Sequence, residues 1–133
     1  MSEGIAIDLE VPFHDVDVLR IVWHGHYYKY LELARTALMR SRELDNHHFE
    51  ALGIGLVMME TRCRHTAPLR YGDRFRVRAW FQDVEQRIHI AYEIQNLTTG
   101  KRAARARTVL VTTDARGSLL LATPKAVLER LRD

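Results

Sequence analysis

Phe13 to Tyr27 read FHDVDVLRIVWHGHY, which puts two carboxylates (Asp15, Asp17) and three histidines (His14, His24, His26) within thirteen residues. An ionised aspartate can serve as a general base or as a nucleophile toward an acyl carbon. The segment runs into an apolar pattern of helical period, so these side chains fall at the start of a helix. A helix start carries unpaired N–H groups and a partial positive charge. Those donors can hold the oxyanion of a tetrahedral intermediate, and the same field keeps an aspartate ionised. The plainer alternative is that Asp15 or Asp17 caps the chain while the histidines fill gaps. On spacing alone, either aspartate fits either part.

The elements that must position this segment can be read from periodicity. Residues 5–13 alternate, with Ile5, Ile7, Leu9, Val11 and Phe13 on one side, and predict a half-buried strand. Residues 14–21 show no clean period and predict a loop. Trp23, Tyr27, Tyr30, Leu31, Ala34 and Leu38 recur at helical spacing and predict a helix over about residues 24–42. Asp45 or Asn46 caps a short second helix through Ala51, closed by Gly53 and Gly55. The remainder predicts sheet: a weakly alternating 56–67, strong alternation over 75–81 and 88–94, a long strand over 101–113, and a short last strand at 119–121. Turns fall at 83–87, 96–100 and 114–118. Pro124 opens a final helical turn or two over 125–132. One strand, one long amphipathic helix and a run of antiparallel strands make an α+β chain. The helix buries its aromatic stripe only by lying across the sheet, which is the hotdog arrangement. All 133 residues then form one domain.

The motif Asp-x-Asp-x-x-x-Ile-Val-Trp-His-x-x-Tyr, followed by Tyr30-Leu31-Glu32-x-Ala34-Arg35, resembles the 4-hydroxybenzoyl-CoA thioesterase and YbgC-like acyl-CoA thioesterase group. The similarity extends over nearly the whole chain, including the Tyr71-Gly72-Asp73 step into a strand. It implies hydrolysis of acyl-CoA or acyl-carrier-protein thioesters to free acid and thiol. Asp17 then falls on the catalytic carboxylate, as base or nucleophile, and His24 on the position whose backbone N–H binds the oxyanion. Asp15, Trp23 and Tyr27 match positions that shape the substrate pocket. Glu32 and Arg35 match too, but their spacing suits a helix-surface pair. The chain departs from the family at Leu19-Arg20, where small residues, often Gly, are usual, and at His26, where Asn is frequent. Arg20 becomes a candidate ligand for a phosphate or carboxylate at the pocket mouth. The run His-Asp-Val-Asp…Trp-His-Gly-His-Tyr also resembles thioesterase-like proteins of aryl-polyene and xanthomonadin pathways, whose acyl groups ride on a carrier protein.

Composition is that of a folded globular chain, 47% hydrophobic and 28% charged. The net charge of +3 is concentrated in Arg62, Arg64, Arg70, Arg74, Arg76 and Arg78, and again in Lys101, Arg102, Arg105 and Arg107. Such a surface suits an anionic partner such as coenzyme A, and Arg105 and Arg107 are candidate phosphate ligands. The arginines have no interleaved row of aromatics and no recognition helix, so nucleic acid is not expected. There is no Gly-x-Ser-x-Gly, no phosphate-cradling Gly loop, and no His-x-x-x-His or Cys-x-x-Cys. No metal site is expected, and the only cofactor is the coenzyme A of the substrate. Cys63 is the single cysteine, so no internal disulfide forms. With no apolar leader and no run long enough to span a bilayer, the expected location is the cytoplasm. The resemblance implies a homodimer or homotetramer, since hotdog sites lie between protomers, and an exposed sheet edge needs pairing. Two other readings stay open: a hotdog dehydratase or hydratase using His14, His24 or His26 with Glu32, and a non-catalytic acyl-carrier binding protein.

Overall fold

In the computed structural model, which describes residues 4–132, the strands are β1 (Ile5–Glu10), β2 (Gly55–His65), β3 (Arg74–Phe81), β4 (Ile88–Asn96) and β5 (Arg102–Thr113). They form one antiparallel sheet in the order β1-β3-β4-β5-β2. The alternation of the sequence becomes two unlike faces. Phe75, Val77, Ala79 and Phe81 of β3 are buried while the arginines between them are exposed. Register lines up Ile7, Val77, Ile94 and Ala104 across four strands, so the apolar positions form one continuous inner face.

Helix α1 (Tyr27–Arg40) lies on that face and buries Tyr27, Tyr30, Leu31, Ala34 and Leu38. The Tyr30 ring packs 4.8 Å from that of Phe75. At 14 residues the helix would be marginal alone in water. Burial of each large apolar side chain, worth about 1.5–3 kcal/mol, is what holds it. Helix α2 (Asn46–Leu52) starts at a reciprocal cap, in which Asp45 and His48 accept each other's backbone N–H groups, and ends at Gly53 with φ of 68°. Helix α3 (Lys125–Leu131) buries Val127 and Leu131. Its last carbonyls are satisfied by Arg42, which donates to the oxygens of Arg130, Leu131 and Arg132 at 3.3, 3.1 and 3.3 Å.

Three boundaries differ from the sequence reading. Strand β1 stops at Glu10 rather than 13, because Pro12 has no N–H to donate and Val11 bonds instead to Asp73 O. A 3-10 turn, Phe13–Asp15, follows and leaves Phe13 exposed. Helix α1 begins at Tyr27, behind a separate 3-10 turn at His24–His26, and ends at Arg40, where Glu43 in left-handed backbone (φ 56°) closes the turn. Residues 119–121 make no strand. Leu119 forms a single bridge to Thr113, after which the chain leaves the edge so that Thr123 can bond to Glu85 O and Val84 O. Residues 1–3 and 133, included in the single-domain reading, lie outside the described residues. Among those described, no helix is long and apolar enough to cross a membrane.

Candidate active site

The connection from β1 to α1 is pinned at several points along its length. Val16 bridges Val22, Ile21 bridges Arg70, and Val22 N donates to Leu69 O at 2.8 Å. Between the two sides of this small hairpin runs a tight turn, 17–20, closed by Arg20 N donating to Asp17 O at 2.9 Å. Arg20 sits at φ 67°, the left-handed region that favours glycine. The departure from the family's small residues thus falls where a side chain is most costly.

Asp17 is held through its backbone, which leaves its carboxylate lightly used. Oδ1 accepts the Leu19 N–H at 2.8 Å. Oδ2 accepts no bond from a described residue. The half-buried side chain lines a cleft of about 540 Å³ between this turn and residues 65–70. Leu19, Ile21, Trp23 and Pro68 make its walls largely apolar, and His24, Tyr27 and His65 reach it as well. The N–H groups of His24 and Gly25, at the start of the 3-10 turn, meet no acceptor among the described residues. A Cβ at Gly25 would run into the Trp23 indole, so a larger residue here requires that ring to move.

Of the residues singled out from sequence, Asp17, His24, Trp23 and Tyr27 therefore meet at one cleft. Asp15 does not join them. The 3-10 turn rotates it inward, where its carboxylate is buried and accepts from Lys29 Nζ at 2.8 and 2.7 Å and from Tyr30 Oη at 2.5 Å. Burial pushes this carboxyl up, but the Lys29 ammonium and the Tyr30 hydroxyl outweigh it and hold Asp15 below the usual carboxylate range. Tyr30 itself is pushed well above a normal phenol by burial and by the bond to Asp15. The Asp15 backbone carbonyl takes the Trp23 N–H at 3.1 Å, so Asp15 fastens the loop rather than touching the cleft. Arg20 is exposed and is not part of the cleft wall. Arg105 and Arg107 lie on the outer face of β5, away from α1. Arg35 and exposed Glu32 form the expected i,i+3 pair, at 3.9 Å, while the mostly covered Arg35 side chain also donates to Tyr92 Oη at 3.3 Å.

Sequence reading missed His65. It ends β2 on the inner face, opposite Ala104, and its ring stands 4.4 Å from that of Tyr27. Burial, with His24 adding to it, lowers its pKa and favours the neutral imidazole. Tyr27, buried beneath it, is pushed up to about 12 by burial, although its hydrogen bond to the Leu69 backbone pulls the other way. The alternation Thr61, Cys63, His65 was the available signal, but the neighbouring arginines obscured it.

An antiparallel sheet wrapped around one long helix, with a carboxylate cleft at the helix start, is the hotdog fold of the thioesterases. The chain belongs to the thioesterase-like superfamily, whose family model matches residues 11–131. It is 29% identical to a putative esterase of Synechocystis over 98% of this chain and 80% of that protein. It is 28% identical to a putative acyl-CoA thioesterase of Bacillus subtilis over 57% of this chain and 55% of that protein. Its fold superposes on a 1,4-dihydroxy-2-naphthoyl-CoA thioesterase of Synechocystis with a TM-score of 0.82, at 19% identity, covering 95% of this chain and 93% of the other.

Proposed function

We propose that the protein hydrolyses acyl thioesters, with Asp17 as the catalytic carboxylate and the His24 N–H as oxyanion donor. One observation carries this reading. Asp17, with an unused carboxylate oxygen, and His24, whose backbone N–H meets no acceptor among the described residues, line the same largely apolar cleft. The apolar walls receive the acyl group, and the thioester carbonyl oxygen turns toward the helix start, where charge develops. Asp17 either takes a proton from the attacking water or bonds to the carbonyl carbon itself. In both cases the C–S bond breaks and the thiolate leaves and is protonated. On the first route the free acid forms directly. On the second, water then cleaves the acyl–Asp17 anhydride, which releases the acid and restores the carboxylate. No cofactor is required beyond the coenzyme A or carrier prosthetic group of the substrate.

The dehydratase reading needs a histidine beside a free acid. His14 and His26 stand 3.6 and 3.8 Å from Asp15, which is buried and already bonded, and Glu32 points to solvent beside Arg35. Neither pair favours that chemistry. As for assembly, β2 is an 11-residue edge strand that exposes Val57, Met58 and Met59. Such an edge is a pairing site, and a homodimer joined through β2 covers it.

The test is thiol release from a panel of acyl-CoA thioesters. Asp17→Asn is expected to lower kcat by about 100-fold or more, the scale of a positioned acid–base group. Wild-type turnover in Asp17→Asn would overturn the assignment. An absence of thiol release by the wild-type protein from every thioester would overturn the activity.

A further inference from the structure

The tight turn 17–20 carries apolar side chains where a turn needs none. Turn apices favour Gly, Asn, Asp and Ser. The two central positions here are Val18 and Leu19, 97% and 73% exposed. The apex is held from behind, since Asp17 O takes the Arg20 N–H at 2.9 Å and Asp17 Oδ1 the Leu19 N–H at 2.8 Å. Leu19 also walls the Asp17 cleft, but Val18 lines neither the cleft nor the core. Folding buries nothing by placing an apolar residue at position 18.

Further exposed apolar side chains gather beside the apex. The Ile21–Arg70 bridge lays residues 69–71 alongside the hairpin and brings exposed Tyr71 close to it. The Tyr71 ring meets that of exposed Phe13 edge-on at 5.6 Å. Trp23, with half its surface in solvent, stands in the cleft wall together with Leu19. A single exposed apolar residue is ordinary, whereas a cluster of five marks an interaction surface.

Charge selects the partner. Arg20 and Arg70, on the two facing segments, are exposed and have no carboxylate within ion-pair distance among the described residues. The neighbouring acids are committed elsewhere. Asp15 is buried against Lys29 and Tyr30, while Asp73 accepts from the Arg70 N–H at 2.9 Å and from Asn96 Nδ2 at 2.8 Å. Asp17 gives one oxygen to the turn and faces the cleft. A two-fold contact between copies through this apex would set its arginines against their own kind. A layer of anionic lipid headgroups attracts them instead. Tryptophan and tyrosine rings settle at the boundary between headgroups and acyl chains, and a protruding apolar apex enters that boundary without needing a preformed pocket.

We propose that the 17–20 apex, with Phe13, Trp23 and Tyr71 beside it, docks the protein on an anionic lipid bilayer. Val18 and Leu19 enter the acyl-chain boundary, and Arg20 and Arg70 lie among the headgroups. The mouth of the Asp17 cleft then opens toward the lipid. The proposal goes beyond thioester hydrolysis and stands apart from it, since docking is measured without turnover.

The experiment is co-sedimentation of the whole protein with vesicles of phosphatidylcholine alone or with about a third phosphatidylglycerol. Wild type is expected to bind the anionic vesicles, and less so at high salt. Val18→Asp is expected to lower the partition coefficient about tenfold, because an inserted apolar group becomes a charge that the headgroups repel. Arg20→Gln is expected to lower it about fivefold, the scale of one basic residue at an anionic surface. Val18→Ser, with an expected loss of about fivefold, removes the apolar group without adding a charge beside Asp17. Each variant is checked for an unchanged melting temperature.

The two tryptophans report which face meets the lipid. In Trp80→Phe, brominated acyl chains are expected to quench Trp23. In Trp23→Phe, the emission of Trp80, on the outer sheet face, is expected to persist. Failure of wild type to sediment with anionic vesicles overturns the proposal. So does binding that Val18→Asp, Val18→Ser and Arg20→Gln all leave unchanged, or quenching of Trp80 in place of Trp23, which would put the lipid on the outer arginines. Capture of an acidic protein by the same apex, without vesicle binding, overturns the lipid assignment too. Thiol release decides the hydrolase reading separately.

Discussion

Asp15 and Asp17 are two residues apart in the same loop, yet the turns that carry them do opposite work. The inward turn buries Asp15 and spends its carboxylate on Lys29 and Tyr30. The outward turn holds Asp17 by main-chain bonds, with only the Leu19 N–H drawing on its carboxylate. A carboxylate saturated with donors is a fastening, since its lone pairs are committed and its basicity is lowered. A carboxylate available for chemistry has to be fixed by something other than its own oxygens. The first aspartate provides that for the second: its backbone carbonyl takes the Trp23 N–H and so aligns the helix start opposite the hairpin.

The widest separation between the two is expected on substitution. Asp15→Ala leaves Tyr30 Oη without its buried acceptor and is expected to cost about 3 kcal/mol, or roughly 10 °C in melting temperature. Asp17→Asn is expected to change stability by less than about 0.5 kcal/mol while abolishing most turnover. If the two effects are exchanged, the division of labour is wrong. Acid sharpens the contrast. The folded pKa of Asp15 lies below its unfolded value of about 3.9, so its contribution is full above that value and is lost as pH falls through the lower, folded one. Urea unfolding carried below about pH 4 is expected to lose stability more steeply in wild type than in Asp15→Asn. Parallel curves would remove Asp15 as a fastening. The smallest effect concerns the outward turn itself. Arg20→Gly relieves left-handed strain of about 1–2 kcal/mol, partly offset by about 0.4–1 kcal/mol of added freedom in the unfolded chain. The urea midpoint is expected to rise slightly; a fall would show that the Arg20 side chain holds the turn.

The architecture was legible because β3, β4 and α1 repeat their apolar residues at the periods of the structures they form. The cleft was legible in part for a similar reason: Asp17, Trp23, His24 and Tyr27 are close in sequence, and local geometry alone brings them together. Burial of Asp15 depends on Lys29 and Tyr30, half a helix turn into α1, and spacing does not reveal which way a short turn rotates. His65 and the facing pairs Arg62–Arg107 and Arg64–Arg105 depend on β2 pairing with β5, its neighbour at the sheet edge though not in the chain. No local pattern encodes that register. The final strand expected at 119–121 failed because three leucines suit a strand, whereas the bonds of Thr123 to Val84 and Glu85 draw the chain elsewhere.

Cys63, the single cysteine, lies on the inner face of β2 opposite Ala106 and two residues before His65. Partial burial raises its pKa, so the half-buried thiol is poorly ionised. That makes it a native chemical stopwatch. Alkylation by a small maleimide is expected to speed up whenever the edge strand lifts, so the labelling rate reports on that opening without any engineered probe. Filling the Asp17 cleft with a non-hydrolysable thioester analogue is expected to slow the labelling, because His65 and Tyr27 would then be held against the same strand. An unchanged rate would show that β2 opens independently of the cleft.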